Sequence, residues 1–340
     1  MEKILVTGGA GYIGSHTAIE LLSQGRYEVI SVDNFLNSTP KSLDRIRQIS
    51  GKPIRNYNLD LCDKKGVRKV FEENPEITGI IHFAALMEVE ESVRQPLRYY
   101  HNNFESLLNI LDSCAEFGVK NFIFSSSCSV YGNIDKLPVT EESPTRAAVS
   151  PYGNTKLVGE RIIRDFVHVA DIQAIALRYF NPAGAHPSGL NGKAYVGKPS
   201  HLFPVIARVA TGEIPVFTVY GSDYDTRDGS CVRDYIHVTD IARAHILALD
   251  YLAEGRNMKK YELFNLGLGE GVSVVEALKA FEESTGIKLN YRMGERRPGD
   301  AAAIYSDSSR ARKLLGWNPE LTIADMALSE WKWMQTLRGE

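Results

Sequence analysis

Residues 3–7, Lys-Ile-Leu-Val-Thr, form a short apolar run without polar alternation, the pattern of a strand buried on both faces. Similar runs recur at 28–32, 54–59, 79–84, 120–125 and 173–179. Between them the apolar spacing turns helical. Ile13, Thr17, Ala18, Leu21 and Leu22 mark a helix over 14–24, and further helices are predicted over 103–117 and 152–169. Strands alternating with helices predict an α/β fold built on a doubly wound parallel sheet. After Asn181 the pattern changes. Residues 182–204 are rich in Gly, Pro and His and predict loops. Strands at 216–220 and 262–266 and helices at 238–253 and 272–285 follow. The expected division is a sheet domain over 1–180, to which about 236–266 returns, and a smaller, mixed, discontinuous domain over 181–340.

In such sheets ligands bind at the carboxyl ends of strands. Polar or distinctive residues stand at those ends here: Asp33-Asn34, Asp60-Leu61, Phe83-Ala84-Ala85, Ser125-Ser126-Ser127 and Phe180-Asn181. The first strand runs straight into Thr7-Gly8-Gly9-Ala10-Gly11-Tyr12-Ile13-Gly14 and then into a helix. Strand, glycine turn, helix is the context a dinucleotide-binding (Rossmann-type) motif needs. Its glycines permit a tight turn, close approach to a pyrophosphate and close helix packing, and the pyrophosphate rests on the helix N-terminus. Asp33 ends the second strand 19 residues beyond Gly14, where an acid binds ribose hydroxyls. A carboxylate there repels a 2′-phosphate, so NAD is expected rather than NADP.

The net charge of −3 over 340 residues provides no field to recruit nucleic acid or an acidic membrane. No apolar run approaches the ~20 residues of a membrane helix, and a strand starting at residue 3 leaves no room for a signal peptide. The four cysteines, Cys62, Cys114, Cys128 and Cys231, lack CxxC spacing and are expected as free thiols in the cytoplasm. His186 and His237 lack a Cys/His/Asp cluster around them, so no metal is expected.

Tyr152 and Lys156 stand four positions apart and project from one helical face. Ser150-Pro151 just before them fits an N-cap followed by Pro at the first helical position. A phenol is a poor base at neutral pH, and a nearby ammonium favours its anion. Tyr152 can then take a hydroxyl proton while hydride leaves the same carbon, with Lys156 holding the nicotinamide ribose and Ser127 sharing the proton. Alone, the spacing also fits a helix surface pair, and Ser127 also fits an ordinary Ser-rich loop.

The segments VTGGAGYIGSHT, DNFLNS, IIHFAAL, NFIFSSSCSVYG, SPYGNTK, LRYFNPAGAHPSG, VRDYIHVTD and RRPGD resemble, in order and spacing, the extended short-chain dehydrogenase/reductase family. Within it they are similar to the members that invert C4 of a UDP-hexose. The resemblance implies hydride removal from C4 to tightly held NAD with Tyr152 as base, turnover of the 4-keto sugar, and hydride return to its opposite face. This interconverts UDP-galactose and UDP-glucose. It implies NAD contacts from Gly8, Gly11, Tyr12, Ile13, Gly14, Asp33, Asn34, Asn37, Ser38, Asp60, Leu61, Phe83, Ala84, Ala85, Met87, Asn102, Ser127, Tyr152, Lys156 and Phe180. For the UDP-sugar it implies Ser127, Tyr152, Asn181, His201, Leu202, Thr218, Val219, Tyr220, Arg233, Arg297, Asp300 and Ile304. Arg233 would meet diphosphate, Arg297 with Asp300 phosphate and ribose, and Tyr220 the uracil. Taken alone, Arg233 equally suits a structural salt bridge.

Three positions depart from the family pattern. Met87 replaces a lysine that touches the cofactor, His201 an asparagine that binds substrate, and Ile304 a residue whose size sets the sugar pocket. An isoleucine there, smaller than tyrosine, makes N-acetylated UDP-hexosamines an alternative substrate class. A 4,6-dehydratase or a UDP-glucuronate decarboxylase is disfavoured, because Cys128 and Ser129 follow Ser127 where an acid is needed. A non-catalytic NAD-binding protein is disfavoured by the intact Tyr152 and Lys156. The resemblance also implies a homodimer joined through the 103–117 and 152–169 helices.

Overall fold

The computed structural model describes residues 1–134, 136–145, 148–194, 201–297 and 300–339. Part of the 182–204 segment (195–200) and Pro298-Gly299 of the RRPGD motif lie outside the described residues.

Strands β1 (Glu2–Thr7), β2 (Tyr27–Val32), β3 (Arg55–Tyr57), β4 (Ile77–His82), β5 (Asn121–Ser127) and β6 (Gln173–Tyr179) join an edge strand, Tyr261–Leu266, in one seven-stranded sheet. The order is edge strand, β6, β5, β4, β1, β2, β3, with every pair parallel. The unbroken apolar runs follow from burial on both faces. Ile4 and Val6 of β1 pack with helix α1 (Tyr12–Ser23) and the Val238–Ala253 helix, while Leu5 packs with Leu107, Ile110 and Ile163 on the opposite face. The chain order reverses direction between β1 and β4, so their carboxyl ends form the crevice where open α/β sheets bind ligands.

Past β6, the short strand Asn181–Ala183 pairs with Tyr235–His237, and Phe217–Tyr220 pairs with Tyr291–Gly294. Val232–Arg233 lies between Val272–Ser273 and Ala303–Ile304. A separate apolar cluster that includes Phe203, Ile206, Val219, Leu278, Phe281 and Met326 holds these pieces together. The loop expectation for 182–204 fails at both ends, because residues 181–183 are a strand and a helix, Leu202–Ala210, begins inside the segment. Phe203, Ile206 and Ala207 give that helix an apolar face with a core to meet. The 272–285 helix begins two residues later than its apolar pattern suggests, because Ser273 and Glu276 cap it reciprocally. Among the described residues no helix is long and apolar enough to cross a membrane.

Candidate active site

The β1–α1 turn is shaped by close backbone approach. Gly8 has φ +69°, and a Cβ on it would lie 3.0 Å from the Ala84 nitrogen at the end of β4. A Cβ on Gly14 would lie 2.1 Å from the Gly8 carbonyl oxygen. Gly11 caps α1 with no side-chain bond, and no acidic residue occupies the first turn. That cradle leaves backbone donors and the positive helix end facing outward, which suits a pyrophosphate. Asp33, 9% exposed, accepts from the Ala10 nitrogen (3.0 Å), the Phe35 nitrogen (2.9 Å) and the Ser38 hydroxyl (2.7 Å). It thus fixes the glycine turn to the end of β2. Asn34 and Asn37 are exposed beside it and Ser38 is half-buried. Tyr12 donates to the Gly184 carbonyl, and Ile13 packs against the sheet core.

Asp60 is exposed and caps its own turn through the Cys62 nitrogen (2.9 Å), while Leu61 is buried. Phe83, Ala84 and Ala85 are half-buried beyond β4, and Met87 is exposed. Two residues missed in the sequence organise this corner. Thr7 donates or accepts between β1 and His82 (2.9 Å) and receives the Ala84 N–H (3.3 Å). Asn103 bonds both polar groups of Leu86 (2.8 and 3.0 Å) and the Thr155 hydroxyl (3.0 Å), joining the 83–87 loop to the helix that carries Tyr152. Asn102, its half-buried neighbour, donates to the Asn103 side chain (2.9 Å).

The Pro151–Val169 helix begins as its sequence predicts, with the Ser150 hydroxyl accepting from the Gly153 nitrogen at 3.1 Å. Its seat is fixed by a buried ion pair. Glu160 accepts from Arg178 of β6 at 2.6 and 2.8 Å and from Ser126 of β5 at 2.5 Å. Ser127 lies near enough to the Tyr152 phenol to favour its anion, and its own hydroxyl accepts from the Ser129 nitrogen (3.2 Å) and the Ser129 hydroxyl (3.0 Å). Lys156 is 4% exposed and donates to the Ser125 carbonyl at 2.7 Å.

The electrostatics differ from the sequence expectation of a phenolate favoured by its lysine. Burial pushes the Tyr152 phenol up to about 12, against a smaller downward pull from Ser127. Burial brings the Lys156 ammonium down to about 7, with Glu160 opposing. Lys156 Nζ is 6.0 Å from the Tyr152 ring centre and engaged with a carbonyl. Desolvation therefore outweighs the four-residue spacing in the free chain.

On the opposite side, Arg233 reaches the Val232 and Ala301 carbonyls (2.9 and 2.8 Å) and Asp300 (3.4 Å), while Arg297 reaches the other Asp300 oxygen (3.2 Å). One carboxylate thus aligns two guanidinium forks, and the salt bridge weighed for Arg233 is present. Arg297 also lies over the ring of Tyr220, 4.6 Å from its centre, on the same strand as Thr218 and Val219. The buried Asn181 Oδ1 has no partner among the described residues, an acceptor without a protein donor. His201 precedes the helix that Leu202 starts and lies 3.0 Å from Lys193 Nζ. Burial, then the Lys193 charge, lowers its imidazole to about 3. Ile304, half-buried, packs beside Leu157, Tyr131 and Phe180. His186 bonds Ser188 (2.8 Å), a local role, and His237 caps its helix through the Thr239 nitrogen (3.1 Å) while its Nε2 meets the Ser329 hydroxyl of the C-terminal helix (3.2 Å).

A doubly wound sheet with a glycine cradle at its switch point and a Tyr-x-x-x-Lys helix beside β5 defines the dinucleotide-dependent class of extended short-chain dehydrogenases/reductases. The family profile described as GDP-mannose 4,6 dehydratase matches residues 5–329. UDP-glucose 4-epimerase of Bifidobacterium longum is 50% identical over 335 residues, covering 98% of this chain and 96% of its own; that of Bacillus subtilis is 46% identical over 335 residues, covering 98% and 97%. The crystal structure of UDP-glucose 4-epimerase from Stenotrophomonas maltophila with bound NAD and formylated UDP-arabinopyranose superposes with a TM-score of 0.96 at 42% identity, covering 100% of this chain and 99% of that one. The Bifidobacterium longum enzyme in complex with NAD+ and UDP gives 0.91 at 50% identity, covering 98% of each. The chain belongs to the family of UDP-glucose 4-epimerases.

Proposed function

We propose that this chain inverts C4 of a UDP-hexose reversibly, interconverting UDP-galactose and UDP-glucose with NAD retained throughout. The observation that carries the reading is the placement of Tyr152 near Ser127 at the end of β5, with Lys156 buried one turn further along. The residues around the glycine turn fit the dinucleotide: Gly8, Gly11 and Gly14 give the backbone approach, Tyr12 and Ile13 the first helical turn, and Asp33 the carboxylate for ribose. When bound, NAD supplies the hydride acceptor and donor and a positive ring charge that favours the phenolate. Tyr152 takes the C4 hydroxyl proton and later returns it, and Ser127 beside it shares that proton. Lys156 donates to the ribose when it leaves the Ser125 carbonyl. Arg233 and Arg297, aligned by Asp300, grip the diphosphate in fork geometry. Tyr220 offers a flat apolar face to the uracil, and Asn181 an acceptor to the sugar side. Strong diphosphate contacts and few sugar contacts let the keto sugar turn over without escaping.

The test is conversion of UDP-galactose to UDP-glucose by purified protein without added NAD, with the nucleotide released by denaturation and identified. Protein carrying stoichiometric NAD that leaves UDP-galactose unchanged overturns the reading.

The pocket wall at Ile304 favours a second substrate class, the N-acetylated UDP-hexosamines, because its half-buried side chain is smaller than a tyrosine. Comparing turnover of UDP-galactose and UDP-N-acetylgalactosamine decides this; no reaction with the latter refutes it. We further assign the substrate side to residues 181–340 except about 236–266, and the protein to the cytoplasm. We also assign a homodimer through the Pro96–Phe117 and Pro151–Val169 helices. Exposed Leu97 (70%) and Leu108 (46%) on the first of these support that surface. A monomeric mass by light scattering counts against it.

A further inference from the structure

Residues 184–193 carry no regular secondary structure, yet Gly184, Ala185, Gly189, Asn191 and Gly192 are buried. Irregular backbone is normally exposed, because its polar groups need partners. Here the partners come from two helices on either side. From α1, Tyr12 donates to the Gly184 carbonyl, and Ser15 accepts from the Asn191 side chain at 2.9 Å. From the C-terminal helix Ile323–Gly339, Ser329 accepts from the Ala185 nitrogen (3.1 Å), Trp333 donates to the Lys193 carbonyl (3.0 Å) and Thr336 donates to the Gly189 carbonyl (2.8 Å). Within the segment, the His186 nitrogen donates to the Asn191 carbonyl at 2.7 Å, closing it into a loop.

The contacts on α1 fall on its N-terminal end, at Tyr12, Ser15 and His16. The N–H groups of Tyr12, Ile13 and Gly14 in its first turn precede the first intrahelical bond, from the Ser15 nitrogen to the Gly11 carbonyl, and line the anion cradle. We propose that the 184–193 segment is a retention strap: latched to the C-terminal helix, it clamps the first turn of α1, and it must lift before the dinucleotide can leave. Asn191 is the positioning residue at the grip, since its amide is the side chain of the strap that reaches α1. It touches neither sugar nor reacting atoms. Its Oδ1 and the His16 Nε2 beside it are buried without partners among the described residues. The grip therefore rests on the Asn191 side-chain nitrogen, which lies 2.9 Å from Ser15 Oγ and 3.2 Å from His16 Nδ1. Trp333 and Thr336 act one step further out, holding the strap from behind. This inference rests on the glycine turn binding NAD, as proposed above.

The test is release of bound NAD from the purified holoenzyme, followed by exchange against labelled NAD. Asn191→Ala should release NAD at least tenfold faster than the parent, and its turnover should become dependent on added NAD, which the parent's does not. Thr336→Val, which removes one latch bond without touching α1, should release about threefold faster. Exchange at the parent rate in both variants overturns the strap, and if Asn191→Ala does not fold, the rate in Thr336→Val decides alone. A parent that carries and binds no NAD refutes the dinucleotide reading itself, a separate outcome that removes the premise here.

Discussion

Around the β1–α1 turn, the groups positioned to meet an anion are backbone N–H groups, set between buried strands and a helix whose glycines leave no room for a Cβ. Around Arg233, they are the tips of long side chains, Arg233 on a two-residue strand and Arg297 on irregular backbone, and the Arg297 side chain remains 55% exposed. A ligand met by the first kind of surface can leave only if secondary structure moves. A ligand met by the second can leave when side chains swing, a local event of far shorter timescale. The division suits an enzyme that keeps its dinucleotide and exchanges its sugar nucleotide every turnover. It also separates the effects of substitutions: changes at the cradle should empty the protein of NAD, and changes at the arginines should weaken UDP alone.

The largest effect expected lies between the two regions, at Tyr152. Tyr152→Phe removes the proton acceptor while keeping the ring, so turnover should fall about 10²–10⁴-fold. NAD content and UDP affinity by calorimetry should stay within about twofold of the parent, a range inside the ordinary noise of distant substitutions. Full activity in this variant would refute the assigned base.

Next comes the cradle. Gly14→Ala places a carbon 2.1 Å from the Gly8 carbonyl, so the turn must open. The variant should purify without NAD and with a lowered melting temperature. Stoichiometric NAD in that variant would break the contrast, since it would show that side chains rather than backbone approach hold the dinucleotide.

The arginine side sharpens the contrast from the other direction. Arg233→Ala removes a charge-assisted fork, a loss of about 1.5–3 kcal/mol, which is roughly 10- to 150-fold in UDP dissociation constant. Arg297→Ala should cost less, about a few-fold, because its more exposed fork is better screened. NAD content should not change in either, and a drop in it would show that the two regions are not independent.

The sequence already displayed what is local. The glycine turn, Asp33, the Ser150 cap and the Tyr152–Lys156 face each rest on residues within about 20 positions of one another, and periodicity reports such neighbours. What it hid is the tertiary support. Asn103 finds Thr155 across 52 positions, and Asn191 finds Ser15 across 176. No spacing rule reaches that far. The raised Tyr152 phenol was hidden for the same reason, since burial is a property of the packed chain. The Leu202–Ala210 helix was obscured by the Gly, Pro and His composition just before it.

On the C-terminal helix, a buried carboxyl should give the smallest effect, visible as a pH dependence of stability. Glu330 of the C-terminal helix is 1% exposed, and burial raises its carboxyl to about 8, with the Lys193 ammonium pulling the other way. An unfolded glutamate titrates near 4.3. Between those values the folded chain binds the proton and the unfolded chain does not, so stability is greatest below about pH 4 and falls as pH rises towards 8. Glu330→Gln cannot titrate and removes that slope. Its melting temperature relative to the parent should therefore climb between pH 5 and pH 8, by a few degrees at the upper end for a chain of this size. Lys193, which burial lowers to about 8 with Glu330 pulling it up, titrates in the same range, so the difference reads Glu330 together with that neighbour. A difference that stays flat with pH would mean that this carboxyl is already ionised in the folded protein. The C-terminal helix would then meet the strap through an ion pair with Lys193 rather than through a neutral acid.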